Sequence, residues 1–232
     1  MIRREITQSP SGRDATPTVE PAPEEPVIHR PGETMVSPVD GMTLVYIPPG
    51  RFEMGSNSGN PDESPVHTVS LDGYWIDKTE VTNAMFANFL NQAGNQTEGG
   101  IAWLDTGEPS VWISDMGGIW QAVGGKDDHP IVGVSWYGAK AYCEWAGRSL
   151  PTEAQWEYAA KGTAGLRFPW GDEGLDCSLS RFWGCGDQPV QAGGLPSGAS
   201  PFGIYEMAGN VAEWVNDRYA PDYYQGSPTE NP

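Results

Sequence analysis

The sequence is poor in imidazole, thiol and positive charge, and each shortage removes a class of function. Its three histidines, His29, His67 and His129, are far apart and show no ligand spacing, which argues against a zinc centre. Lys and Arg number 13 against 31 Asp and Glu, a formal charge of −18 with a pI near 4.3. Such a surface repels nucleic acid and anionic lipid, so neither is expected as a partner. No stretch reaches transmembrane length and no apolar leader follows Met1, so no membrane insertion by this chain is expected. Nucleophile elbow, phosphate loop and Ser/His/Asp arrangement are all missing.

The cysteines number three. Cys143 falls on the apolar face of an expected helix and reads as an inert core thiol. Cys177 and Cys185 flank Ser178–Gly184, a loop length that can close a disulfide. A bridge is expected there and would point to an oxidising, extracytoplasmic compartment; two unpaired buried thiols are the alternative.

What the chain does have is Gly (30), Pro (21) and Trp (10). That mixture predicts a loop-rich fold pinned by aromatics, each of which buries much area. With 232 residues the chain makes one good-sized domain, expected to be a monomer. Residues 1–38 are rich in Pro, Glu and Thr and nearly devoid of large apolar residues, which predicts a disordered linker, or stalk of something larger. Residues 39–232 are the expected domain.

Met42–Ile47 and Arg51–Met54, joined by Pro48-Pro49-Gly50, read as a hairpin. Val66–Leu71 alternates, and Tyr74–Asp77 is a further short strand. From Thr82 to Gln92, Met85, Phe86, Phe89 and Leu90 recur at helical spacing, and Gly94 supplies a stop. Residues 94–128 carry isolated Trp residues and a formal glycosylation sequon at Asn95-Gln96-Thr97. Ser135 caps a helix ending at Gly147. Thr152 with Gln155 forms a capping box for a second helix, closed by Gly162. Leu166–Trp170 reads as extended. Short strands, two or three helices and long loops make an α+β domain.

The richest stretch is Ser200–Val215. Phe202, Ile204, Tyr205, Met207 and Trp214 alternate with Glu206, Asn210 and Glu213, and Gly203 and Gly209 break any single period. Two carboxylates around a Gly-Asn turn can grip a cation, and Ca²⁺ accepts carboxylate and carbonyl oxygens together. The plainer alternative is a Trp-anchored loop with solvated acids.

The run Gly203-Ile204-Tyr205 through Gly209-Asn210-Val211-Ala212-Glu213-Trp214 resembles the signature of the formylglycine-generating enzyme, or sulfatase-modifying-factor, family. Val45–Ser56, Tyr74–Asn83, His129-Pro130 with Val134–Trp136, and Arg148–Glu157 resemble its other motifs in the same order. The resemblance implies a C-type-lectin-like fold. It implies a structural calcium on the side chains of Glu206 and Glu213 and the carbonyls of Gly209 and Val211. Catalytic members convert a substrate cysteine to formylglycine with O₂ and a copper ion on two thiolates. Their cysteine pair follows a Gly-Gly-Ser-Trp-like motif that is not in this sequence, so copper is expected only if a further segment supplies it. No catalytic residue is therefore assigned. Ala212 stands where the family usually has Trp. Arg181 stands where an Asn ligand of another calcium is expected, and its guanidinium is expected to pair with an acid such as Asp187.

Three readings follow: a binding module of a larger protein with a protein or peptide ligand, an oxidase lacking its catalytic end, or an iron-dependent sulfoxide synthase. The last needs a His-x-x-x-His-x-Glu cluster, which the sequence does not contain.

Overall fold

The computed structural model describes residues 28–232. Most of the expected linker lies outside the described residues, but its last part does not. Strand β1 (Thr34–Val36) already pairs antiparallel with β2 (Thr43–Ile47), so the folded domain takes in residues before 39. β2 pairs in turn with β5 (Tyr74–Asp77), giving a sheet of order β1-β2-β5. β3 (Gly50–Met54) pairs with β4 (His67–Leu71) in a separate two-stranded sheet.

The expected hairpin over 42–54 is thus corrected. Both strands form, but they do not pair with each other. Pro48 and Pro49 between them have no N–H and a fixed φ, so they bend the chain out of one sheet and into the other. Two minor hairpins fill the stretch that sequence left unread: β6 (Thr97–Glu98) with β7 (Ile101–Ala102), and β8 (Ile113–Asp115) with β9 (Trp120–Ala122).

The helices follow their caps. In α1 (Asn83–Ala93) the Thr82 hydroxyl accepts from the Met85 N–H, and Gly94 closes the end at φ 74°. In α2 (Trp136–Trp145) Ser135 accepts from Gly138. In α3 (Glu153–Lys161) Thr152 and Gln155 form the reciprocal capping box, and Gly162 ends the helix. Gly138 is needed for packing: a Cβ there would lie 2.3 Å from the Trp103 carbonyl oxygen. Leu166–Trp170 is mostly turn, with only a Phe168–Gly171 bridge, which corrects the extended reading.

Two apolar clusters result. One joins β2–β4 to α3 through Val45, Ile47, Phe52, Val69, Tyr158 and Ala159. The other joins α1 to α2 through Phe86, Phe89, Leu90, Leu104 and Tyr142. The Ser200–Val215 stretch crosses between them, with Ile204 and Met207 buried in the first.

Candidate functional site

The stretch from Ser200 to Val215 forms no helix or strand, so its polar backbone groups must find partners elsewhere. Side chains from three directions supply them. Glu80, just ahead of the α1 cap and 7% exposed, accepts from the Asn210 side-chain amide at 2.7 Å and from the Val211 N–H at 3.2 Å. Asn210, at φ 71°, also ties itself to Val190, accepting from its N–H at 2.9 Å and donating to its carbonyl at 3.2 Å. The Trp156 indole donates to Glu213 at 2.9 Å, the Trp214 indole to the Val134 carbonyl at 2.9 Å, and the Trp136 indole to the Val215 carbonyl at 2.9 Å. Gly209 lets the turn sit against residues 180–181, since a Cβ would lie 2.4 Å from the Arg181 carbonyl oxygen. The Asn210 N–H reaches that carbonyl at 2.7 Å.

Glu206 adopts φ 56° and is buried, with both carboxylate oxygens engaged. They accept from the N–H groups of Gly193 at 2.9 Å and Leu195 at 3.1 Å. Glu206 and Glu213 therefore do different work: one holds a neighbouring loop, the other faces the cleft beside Trp156. Among the described residues, no three His, Cys, Asp or Glu side chains converge as a metal-binding group. The chemistry of the donors still suits a hard cation, being carboxylates crowded by one another. Burial pushes Glu80 up to about 8, against its two hydrogen bonds, with the charges of Glu213 and Glu206 adding to the rise. Glu213 reaches solvent through the cleft, but its walls hem the carboxyl in and, with Asp77 and Glu206, push it up to about 7. Burial also raises Glu206, against its two backbone bonds.

A second polar group stands across the cleft. Arg148 donates to Asp40 at 2.6 and 3.3 Å and pairs with Asp77 at 3.1 Å, while the Tyr142 hydroxyl donates to Asp40 at 2.7 Å. Burial alone would raise the Asp40 carboxyl, but bonds from Arg148, Ser37 and Tyr142 hold it well below the usual range. Burial raises Asp77 to about 6 despite Arg148, with the charge of Asp40 adding to the rise.

The thiols are all accounted for. Cys177 and Cys185 are joined in a disulfide, with Cα atoms 5.4 Å apart. Cys143 is half-buried on the cleft wall of α2, and burial pushes its thiol up to about 12. Neither arrangement offers the pair of thiolates that a copper ion of this chemistry needs. Arg181 corrects one expectation. It makes no ion pair with Asp187; its Nε donates to the Gln188 carbonyl at 2.8 Å and its Nη1 to that of Cys185. Asn95 spends its side chain on the Leu104 main chain, accepting and donating at 2.9 Å each, so the sequon amide is engaged.

Sequence reasoning missed Glu80, Asp77, Asp40 and Arg148. For Glu80 and Asp77 a signal existed: both sit inside the Tyr74–Asn83 motif, flanking the turn before a capped helix.

This fold, small sheets and three α-helices under long aromatic-pinned loops, is the C-type-lectin-like α+β fold of formylglycine-generating-enzyme type. PvdO from Pseudomonas aeruginosa shares it, with a TM-score of 0.70 at 26% identity over 88% of this chain and 81% of that one. The sulfatase-modifying factor enzyme 1-like domain matches residues 31–230, and the chain belongs to that family. The formylglycine-generating enzyme of Streptomyces coelicolor is 36% identical, over 81% of this chain and 73% of its own length. The serine/threonine-protein kinase Pkn1 of Chlamydia trachomatis serovar L2 is 39% identical over 89% of this chain. The chain spans 33% of that kinase's length.

Proposed function

We propose that this domain is a non-catalytic, lectin-like binding module carried by a larger protein. The observation that carries the reading is the state of its thiols. Two are locked to each other and the third keeps its proton at neutral pH, so no thiolate pair can hold copper. The kinase relatives, in which a region like this one makes up about a third of the length, support a module within a longer chain. The disulfide favours an extracytoplasmic setting. The test is to incubate the protein with copper, O₂, a reductant and a Cys-x-Pro-x-Arg peptide. The peptide mass is expected to stay unchanged; aldehyde formation overturns the reading. The relative in Streptomyces coelicolor favours the second reading, an oxidase whose thiols come from a further segment. Aldehyde formed only when such a segment is supplied selects it.

A structural calcium is proposed with the module, held by Glu206, Glu213 and the carbonyls of Gly209 and Val211. Burial raises Glu80, Glu206 and Glu213 alike, and neighbouring carboxylates add to the rise of Glu80 and Glu213, which supports a cation nearby. Both Glu206 oxygens already accept amide protons, so binding requires Glu206 to loosen its hold on the 193–195 loop. An ion that binds only the folded state raises its stability by mass action. Thermal melting with calcium and with a chelator decides: the midpoint is expected to rise with calcium, and Glu213→Ala to abolish the rise. An unmoved midpoint in the parent removes the site.

A further inference from the structure

The loop closed by Cys177 and Cys185 supports one side of the turn at 208–210. Its Arg181 carbonyl accepts from the Asn210 N–H at 2.7 Å, and its Ser180 hydroxyl donates to the Ala208 carbonyl at 2.6 Å. Two glycines permit this close approach. A Cβ on Gly209 would collide with the Arg181 carbonyl and the Ser180 hydroxyl, and one on Gly198 with the Leu179 carbonyl.

Residues 179–181 are themselves braced by the two legs of the loop. On the near leg, the Leu179 and Ser180 N–H groups donate to the Asp176 carbonyl at 2.9 and 3.0 Å. On the far leg, the Arg181 guanidinium donates to the carbonyls of Cys185 and Gln188. Among the described residues, no main-chain hydrogen bond joins 176–180 to 182–188. The disulfide is what fastens one leg to the other. The opposite side of the turn is moored separately, by Glu80 on Val211 and Asn210 and by Asn210 on Val190. Cys177 is exposed and Cys185 half-buried, and a disulfide open to solvent is of the labile kind.

We propose that the Cys177–Cys185 disulfide is a redox latch on the 208–210 turn, opened by a dithiol reductant. Closed, it presses 179–181 against the turn. Opened, it frees that side while the Glu80 side stays fixed. In the exchange, one thiolate of the reductant bonds to the Cys177 Sγ as the S–S bond breaks and Cys185 leaves as a thiolate. The second thiolate of the reductant then bonds to the first sulfur, and Cys177 leaves. Two electrons have passed to the protein, the reductant has become a disulfide, and its two protons end on the cysteines. The latch works alike in a binding module and in an oxidase completed by a further segment.

The probe is dithiothreitol added to the full chain, with reduction counted by mass after alkylation and amide exchange read residue by residue. Exchange at the Asn210 amide is expected to speed up at least tenfold on reduction and to recover on reoxidation. Exchange at Val211, held by Glu80, is expected to change less than twofold. Cys177→Ser with Cys185→Ser is expected to exchange fast at Asn210 with or without dithiothreitol, which assigns the effect to this bond. Unchanged Asn210 exchange in the fully reduced chain overturns the proposal. So does equal acceleration at Val211 and at Leu90 of α1, which would make the bond a general staple. A bond that dithiothreitol opens only in denaturant overturns it as well.

Discussion

Two loops of this molecule solve the same problem with charges of opposite sign. The turn at 206–213 and its neighbour at 190–195 are held by carboxylates, Glu80 and Glu206, which accept N–H groups from both. The loop at 177–188 is held by a guanidinium, Arg181, which donates to carbonyls, and by a disulfide. A backbone without regular structure exposes both kinds of polar group, and either can be met by a side chain of the right sign. The difference lies in cost. The acid-held turn gathers like charges in a confined place and shifts their protonation upward. The Arg181 loop uses a single cation and a covalent link.

The largest test of this contrast is Glu80→Ala at pH 6. It removes the acceptor of one Asn210 amide N–H and of the Val211 N–H, and an unsatisfied buried donor costs roughly 1–3 kcal/mol. We expect a loss of about 3 kcal/mol in urea unfolding, larger than any single change in the Arg181 loop. A loss below that of Arg181→Ala would break the comparison.

Next is removal of the bridge by Cys177→Ser with Cys185→Ser. The closed loop is short, so the stabilisation through the unfolded chain is about 2 kcal/mol. Denaturation of the pair variant against the parent measures it. An unchanged midpoint would leave Arg181 as the sole clamp of that loop.

The smallest effect separates the two loops by pH. Glu80 in the folded state keeps its proton up to about 8, whereas the unfolded chain releases it at the ordinary glutamate value of 4.5. Between those values the folded state binds more protons, so this contribution is fully present below pH 4.5 and is lost as pH rises through 8. Glu80→Gln should flatten the fall in stability from pH 5 to pH 8.5 by about 1–2 kcal/mol, a discount on the full shift because the carboxylate keeps two donors. The cysteine variant should keep the parent's slope. If it loses the slope as well, the protonation cost does not belong to the acid-held turn.

Local chemistry was legible wherever it acts over a few residues. The caps at Thr82, Ser135 and Thr152 and the stops at Gly94 and Gly162 stand where the sequence places them. So does the Cys177–Cys185 bridge, which closes over a short loop. The hairpin over 42–54 was misread because strand formation is local but pairing is not; two prolines redirected a strand whose own pattern was sound. Residues 94–128 were opaque because strands of two or three residues have no period to detect. In the site, Glu206 and Glu213 were visible as acids around a turn, but their partners were not. Gly193, Leu195 and Trp156 come from other parts of the chain.

By itself the sequence determined the longer strands and the helices, their capped ends, the acidic composition and the short disulfide loop, because each depends on residue type and short spacing. Tertiary structure decided which strand edges pair. It decided that Arg181 serves carbonyls and not Asp187, and that Asp77, Glu80 and Glu213 line one cleft between two cores. Those outcomes depend on which distant segments share a wall, and on how far each wall excludes water from the charge it carries.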